Sequence, residues 1–307
     1  MTKETLVSRK RSRLLAIESP FPQAHCQLRF LEPRDCCRQT LWTRLFNGTY
    51  DKPFIIDTGL RRALHFNFDG VQSAMDLLAP DRLTLAYTRR MMAFLLFNSE
   101  PGRILLLGLG GGSLAKFCRR HLPDTALTTV ELNSDVITLR EQFEVPEDDD
   151  RFHVVHAEGA EYLAGSSDCQ DVILADACDP TGIAAGLNTL QFYRNARRCL
   201  TSAGILVVNP CGDEPARAEH LLKIRQVFGE EILRLPVRPD GNVIVLAFKG
   251  SDCQVRCADL EARAPELQRR FELNFPRYVR RIVLDLQLRK WERTLDVDVV
   301  RPLSMPR

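Results

Sequence analysis

Four glycines stand within five residues of the run RILLLGLGGGSLAKF, which covers positions 103–117. The apolar segment that precedes them, 104–107, is typical of a strand buried on both faces of a sheet. Glycine lets the backbone turn tightly and approach a ligand closely. The pattern predicts a nucleotide-binding loop, and a tight turn without a ligand is the alternative that it leaves open. The loop glycines are Gly108, Gly110, Gly111 and Gly112.

Strand-like and helix-like segments alternate after this loop. The predicted strands are 104–107, 127–131, 152–156, 171–176, 204–209 and 242–248. The predicted helices are 113–121, 134–143, 190–200 and 216–227. Such alternation predicts an α/β fold in which a doubly wound parallel sheet carries helices on both faces.

The chain is divided into four predicted segments. They are an N-terminal extension at 1–40, a small β-rich domain at 41–85, an α/β domain at 86–250 and a helical tail at 251–307. Within the β-rich domain, 54–68 predicts short strands or a hairpin. In the tail, Val279, Ile282, Val283 and Leu286 fall on one helical face, which predicts packing on the core. A partner-binding helix is the alternative.

Composition is that of an ordinary globular protein. The 307 residues are 45% hydrophobic, and 42 Lys and Arg balance 40 Asp and Glu to a net charge of +2. This balance gives no global basic field of the kind that nucleic-acid binding leaves. Because no run approaches about 18 apolar residues and the start lacks a signal-peptide pattern, we expect a cytoplasmic protein that contacts no membrane.

The ten cysteines show no spacing that suits a metal. No pair stands in a C-x-x-C arrangement, and no histidine cluster accompanies them. Zinc sites depend on such spacing. We therefore expect free thiols and no metal site.

Acidic residues follow the predicted strands at the edge where a doubly wound sheet binds ligands. Glu131 closes the second strand, Glu158 follows the third, and Asp176 and Asp179 follow the fourth. A carboxylate suits ribose hydroxyls, and the spacing from Gly108 to Glu131 is that of a dinucleotide-binding sheet. The dinucleotide fingerprint G-x-G-x-x-G is broken, however, because a serine stands at its sixth place. This weakens a nicotinamide interpretation.

Over roughly positions 41–248 the chain resembles the spermidine synthase, or polyamine aminopropyltransferase, family. The resemblance lies in the order and spacing of several runs: FDGVQSAM, YTRRMM, ILLLGLGGGSL, TTVELNSDVI, VVHAEGAEYL and DVILADACDPTGIAAGLNTLQFYRNARRCLTSAGILVVN. It implies a Rossmann-like fold of the class I methyltransferase type, a small β-rich N-terminal domain and a homodimer.

The resemblance also implies an activity. An aminopropyl group would pass from decarboxylated S-adenosylmethionine to a small-molecule amine acceptor, without a metal. Asp176 would be the base that takes the amine's proton, because an amine must lose a proton before its nitrogen can attack. The implied acceptor residues are Asp179, Tyr87 and Gln72. The implied donor residues are the four loop glycines, Glu131 for the ribose, and Glu158 with Gly159 for the adenine.

Several positions depart from the family pattern. Gly111 stands where the family has an aspartate that meets the free amine of the donor, and Arg238 stands where it presents a tyrosine to the acceptor. Asn209 replaces a glutamine and Arg89 a glutamate. These changes predict a more positive acceptor pocket and poor use of putrescine. They leave two alternatives open, namely a methyltransferase that uses intact S-adenosylmethionine and a non-catalytic nucleoside-binding paralogue.

Overall fold

The computed structural model describes residues 14–20, 26–167, 169–179, 182–237, 241–250 and 257–299. An antiparallel sheet of five strands comes first, in the order β1-β2-β3-β4-β5. Helix α1, Arg38–Phe46, lies between its second and third strands. The strands are β1 Leu15–Glu18, β2 Gln27–Phe30, β3 Phe54–Asp57, β4 Arg61–His65 and β5 Ser73–Asp76.

This sheet is larger than the sequence predicts. Strands β3 and β4 form the predicted hairpin, with Gly59 at φ 80° in its turn. Strands β1 and β2, however, lie in the segment predicted to be an extension. They belong to the sheet because Leu28 and Phe30 are buried against Leu41 and Phe54. Four-residue strands give too short an alternating pattern to be recognised in the sequence.

The second sheet has seven strands in the order β13-β14-β12-β9-β6-β7-β8, and a separate two-stranded ribbon pairs β10 with β11. The strands of both are β6 Arg103–Leu107, β7 Ala126–Glu131, β8 Phe152–His156, β9 Gln170–Ala175, β10 Cys178–Asp179, β11 Gly182–Ile183, β12 Leu200–Val208, β13 Ile232–Pro236 and β14 Val243–Phe248. The helices after α1 are α2 Ala86–Met91, α3 Ser113–His121, α4 Ser134–Thr138, α5 Gly159–Gly165, α6 Leu190–Cys199, α7 Glu214–Phe228, α8 Cys257–Phe271 and α9 Phe275–Val299. The described residues also form 3₁₀ helices at Met92–Leu96, Leu139–Phe143 and Ala185–Leu187.

Strand β6 shows why this sheet is covered on both faces. Ile104 and Leu106 point into one apolar core, whereas Leu105 and Leu107 point into another, and all four are buried. Successive side chains of a strand point to opposite faces, so a continuous apolar run requires a cover on each. The predicted α/β architecture is confirmed.

Two strands at one edge change the predicted parallel sheet into a mixed one. Strands β12, β9, β6, β7 and β8 run parallel, but β14 is antiparallel to both β12 and β13. Only a short connection separates Pro236 from Val243, and a parallel pair would need a crossover of about a dozen residues or more. Strand β13 was not predicted from the sequence.

The C-terminal helices pack on the α/β domain, as the apolar face of the tail predicts. Val279 and Ile282 of α9 are buried in the same core as Ile104, and Val283 and Leu286 pack against it. Across the residues that the structure describes, no helix combines the length and the apolar character that a bilayer crossing requires.

Candidate active site

Four strand ends meet at one edge of the seven-stranded sheet. The register pairs Leu107 of β6 with Ala175 of β9, and Ala175 with Val208 of β12. On the other side of β6, Leu107 is paired with Val130 of β7. The residues that end or follow these strands are therefore neighbours. They are Gly108, Glu131, Asp176 and Asn209.

A cavity of about 700 Å³ opens at this edge. Its walls come from the glycine loop, the strand ends, helix α2 and the residues around β5. Open α/β sheets bind their ligands at this position, where the strand order reverses beside β6. The cavity brings together six of the predicted site residues: Gln72, Tyr87, Gly108, Gly110, Glu131 and Asp176.

Gly108 packs directly against the backbone of Asp176. Its φ is 99°, and a β-carbon at this position would lie 2.9 Å from the Asp176 carbonyl carbon. An L-residue would be strained by that φ and would also push the two strand ends apart. Glycine therefore lets the loop and the catalytic candidate lie in contact.

Gly111 and Gly112 do not line the cavity. Gly111 is buried, and a β-carbon there would lie 2.8 Å from Ser73 Oγ and 2.9 Å from Phe143 Cδ1. Gly112 is the N-cap residue of α3 and packs against Val145. Both glycines allow neighbouring elements to pack against the loop, so direct contact with the donor stays a prediction for them.

Asp176 is held by two neighbours. Asn209 Nδ2 donates to its Oδ1 at 2.9 Å, and the Tyr87 hydroxyl is a second hydrogen-bond partner. Burial raises the pKa of Asp176 to about 7, although the hydrogen bonds from Asn209 and Tyr87 oppose the rise. A carboxyl group with this pKa can accept a proton near neutral pH and return it to solvent.

Tyr87 lines the cavity beside Asp176. Burial, followed by the neighbouring charge of Asp176 and their hydrogen bond, raises the pKa of the Tyr87 hydroxyl well above its ordinary value. The hydroxyl also lies 3.4 Å from the backbone carbonyl of Gln72. Tyr87 therefore remains neutral beside the Asp176 carboxyl group.

Glu131 connects the glycine loop to the second strand. Its Oε2 accepts the Leu109 N–H at 2.8 Å, and its Oε1 accepts the Asn133 N–H at 2.8 Å. Each carboxylate oxygen has a further lone pair that a ribose hydroxyl can reach. The side chain can thus hold the loop and a sugar at once.

We expect Glu131→Gln to weaken methylthioadenosine binding by about 10- to 100-fold. A hydrogen bond to a charged group contributes about 1.5–3 kcal/mol, and the amide would also point a donor at a backbone N–H. Calorimetric titration of the folded variant measures the loss. The matched control is Glu144→Gln, which makes the same change outside the cavity lining. Unchanged affinity in Glu131→Gln would remove the ribose role.

The structure does not bring Glu158 and Gly159 into the cavity. Glu158 is the N-cap of α5, where its Oε2 accepts the Glu161 N–H at 2.6 Å. A carboxylate at this position satisfies the free N–H groups of the helix and favours its dipole. Their contact with adenine stays a prediction.

Three other residues that were predicted to affect the acceptor are not placed at the cavity by the structure. Arg238 and the Asp179 side chain lie outside the described residues. Arg89 is absent from the cavity lining, because its Nη1 donates to the carbonyls of Leu83 at 2.8 Å and Thr84 at 2.6 Å. Arg89 therefore does not contact the cavity directly, and the expectation that its charge opposes a cationic acceptor stays a prediction.

Sequence reasoning missed the pairing of two cysteines at the cavity. Cys178 and Cys211, with Cα atoms 6.1 Å apart, form a disulfide, and both line the cavity. The expectation of free thiols is wrong for this pair. No spacing rule could have found it, because 33 residues separate the two in sequence. Among the described residues, Cys26, Cys36, Cys37, Cys118 and Cys169 are free thiols.

Three other residues were missed at the site. Asn209 was noted only as a departure from a pattern, yet it orients Asp176. Ser73 and Ser113 line the cavity beside the glycine loop and carried no sequence signal. In the part of the chain that the structure describes, no group of three His, Cys, Asp or Glu side chains is arranged to hold a metal ion.

The fold and the arrangement of the strand ends define a Rossmann-like protein of the methyltransferase type. A "Spermine/spermidine synthase domain" model matches residues 84–234. The polyamine aminopropyltransferase of Chromobacterium violaceum is 38% identical over 229 residues, which are 74% of this chain and 88% of that protein. The chain therefore belongs to the spermine/spermidine synthase family.

Solved structures agree with this fold. A probable spermidine synthase from Corynebacterium glutamicum superposes with a TM-score of 0.60 at 21% identity, over 70% of this chain and 84% of that one. Human methyltransferase-like protein 13, in complex with SAH, gives a TM-score of 0.55 at 24% identity, over 61% and 93% of the two chains.

Proposed function

We propose that this protein transfers an aminopropyl group from decarboxylated S-adenosylmethionine to an amine, in polyamine biosynthesis. The observation that carries the proposal is the position of Asp176, a buried carboxyl group with a pKa of about 7 beside the glycine loop. Membership of the family and the name of the Chromobacterium violaceum relative support the same activity.

The proposed reaction is a single displacement. The acceptor nitrogen attacks the carbon beside the sulfonium, a C–N bond forms, and the C–S bond breaks to release methylthioadenosine. Asp176 takes a proton from the nitrogen, since an ammonium has no lone pair with which to attack. Asn209 and Tyr87 hold the carboxylate in position. The sulfonium is already an activated leaving group, so the proposed reaction uses no metal.

Donor binding is assigned to the glycine loop and Glu131. The two hydrogen bonds that Glu131 accepts from Leu109 and Asn133 fix its carboxylate at the mouth of the loop. A ribose that donates to this carboxylate would place the sulfonium toward Asp176, which lies against Gly108. We further propose a cytoplasmic homodimer, as the family resemblance implies.

Gly111 favours a second candidate function. With no carboxylate on the loop, intact S-adenosylmethionine meets no repulsion there, and the protein could act as a methyltransferase. Backbone N–H groups of a bare loop can also bind a carboxylate. This candidate gives Asp176 the same role as a base and differs only in the group transferred.

We expect the wild-type protein to form methylthioadenosine from decarboxylated S-adenosylmethionine when an amine is supplied. The assay should test a panel of mono- and diamines, including putrescine, and identify the alkylated amine by mass. The gain of an aminopropyl group supports the proposal. A gain of a methyl group from intact S-adenosylmethionine supports the second candidate, and no product with any amine supports a non-catalytic paralogue.

A further inference from the structure

Two serine hydroxyls face the glycine loop. Ser73 begins β5 of the N-terminal sheet and Ser113 begins α3, and their Oγ atoms lie 3.3 Å apart. Both side chains are buried, with 6% and 8% of their surface exposed, and both line the cavity. The N-terminal sheet thus contributes polar atoms to the candidate donor site.

Ser73 occupies the space into which a side chain at position 111 would extend. A β-carbon on Gly111 would lie 2.8 Å from Ser73 Oγ. A β-carbon at this distance is too close to a side-chain oxygen, so any side chain at 111 requires its neighbours to shift. An aspartate at 111 would therefore collide with Ser73, and Phe143 closes the other side. In this chain the neutral hydroxyl of Ser73 therefore lies beside position 111, where the family has the carboxylate of an aspartate.

The hydrogen bonds of the pair leave Ser73 free to accept. Ser113 Oγ donates to the Ala74 carbonyl at 3.3 Å, which uses its only proton. Ser73 then donates to Ser113 Oγ, so both lone pairs of Ser73 Oγ have room for other donors. An ammonium group only donates hydrogen bonds, so it can bind the unused lone pairs of Ser73 Oγ.

We propose that Ser73 binds the ammonium group of the donor's tail without selecting between the decarboxylated and the intact donor. Its hydroxyl accepts a hydrogen bond from the ammonium group of the donor's tail, and it carries no charge that repels a tail bearing a carboxylate as well. The inference rests on the proposed function and extends it to the choice of donor. The carboxylates that line the cavity, among the described residues, already accept hydrogen bonds from protein groups. Glu131 accepts from backbone amides of the loops, Asp176 from Asn209, and Asp213 from the backbone at the start of α7.

The test compares three nucleosides by calorimetry. Decarboxylated S-adenosylmethionine has an ammonium tail, the intact form has an ammonium and a carboxylate, and methylthioadenosine has no charged tail. We expect the dissociation constants of the wild type for the decarboxylated and the intact form to lie within about tenfold of each other. Ser73→Asp should shift this ratio toward the decarboxylated form by at least ~10-fold, since its charge attracts one tail and repels part of the other.

Ser73→Asn is the matched control, because it adds a polar side chain of similar size without a charge. Its ratio should stay at the wild-type value, and methylthioadenosine should bind all three proteins almost equally. A purely structural role for Ser73 would change all three affinities together.

Two results would overturn the inference. One is a wild-type preference of more than ~100-fold for the decarboxylated donor, the size expected of a fixed charge about 6 Å away. The other is an unchanged ratio in Ser73→Asp. If that variant does not fold, the wild-type ratio alone decides. Failure of the wild type to bind methylthioadenosine would instead refute the proposed function, and this inference with it.

Discussion

Asp176→Asn should lower kcat by about 10²–10⁴-fold while methylthioadenosine binding is retained. The amide cannot take the proton of the acceptor, and general-base catalysis contributes a factor of this size. An asparagine oxygen can still accept from Asn209 Nδ2, which preserves the local geometry. Single-turnover rates with the amine identified above, together with calorimetric binding, measure the two effects separately.

The pH profile gives a second measure of the same substitution. Because the pKa of Asp176 is raised to about 7, its carboxylate is ionised above that pH and takes up a proton below it. Wild-type kcat/KM, which reports groups of the free enzyme, should therefore fall as the pH drops through about 7, and this limb should be absent from Asp176→Asn.

Asp171→Asn is the control for this variant. Asp171 lies at the other end of β9, where one carboxylate oxygen accepts the N–H groups of Gly102 and Arg103, a role that an amide oxygen can fill. Its kcat should match the wild type. Full activity in Asp176→Asn would exclude it as the base.

Gly108→Ala should reduce kcat/KM by at least ~10²-fold. The new methyl group would collide with the Asp176 carbonyl, so the strand end that carries the base must move. A displacement of about 1 Å can cost this much in rate, since the reacting groups no longer align. Steady-state kinetics and a thermal melt measure activity and folding separately.

Gly59→Ala is the control that separates the steric collision from the cost of placing an alanine at a positive φ. Gly59 has a φ of 80°, but a β-carbon there would meet no atom within 4 Å. This variant carries only the left-handed strain, about 1–2 kcal/mol, and should keep its activity. Equal activity in both alanine variants would mean that contact with Gly108 does not position Asp176.

The residues at the carboxyl ends of the strands could be predicted from the sequence because the patterns that mark them are local. The apolar run 104–107 and the glycines after it predict a strand and a loop, and the acids Glu131 and Asp176 end strands that pair with β6 or its neighbours. Parallel strand ends meet at one edge, so a one-dimensional pattern predicts a three-dimensional cluster. Glu158 is the exception, since capping of α5 explains an acid there equally well.

Contacts between segments that are far apart in the sequence could not be predicted from it. The approach of Ser73 to Gly111, the disulfide from Cys178 to Cys211 and the backbone bonds of Arg89 depend on how elements pack. A serine, a cysteine or an arginine has no local pattern that marks such a partner. Strand β14 was predicted, but its antiparallel direction was missed for a similar reason, because the direction is set by the connection to β13 rather than by the residues within the strand.

The cavity wall is shared between two sheets, and this has a thermodynamic consequence. Ser73 belongs to the N-terminal sheet, whereas Gly110 and Glu131 belong to the α/β domain, and all three line the same space. A ligand that touches both sides binds only the docked arrangement. By linkage, a ligand at 100 times its dissociation constant stabilises that arrangement by about 2.7 kcal/mol. Donor binding thus adds to the free energy that holds β5 against the glycine loop.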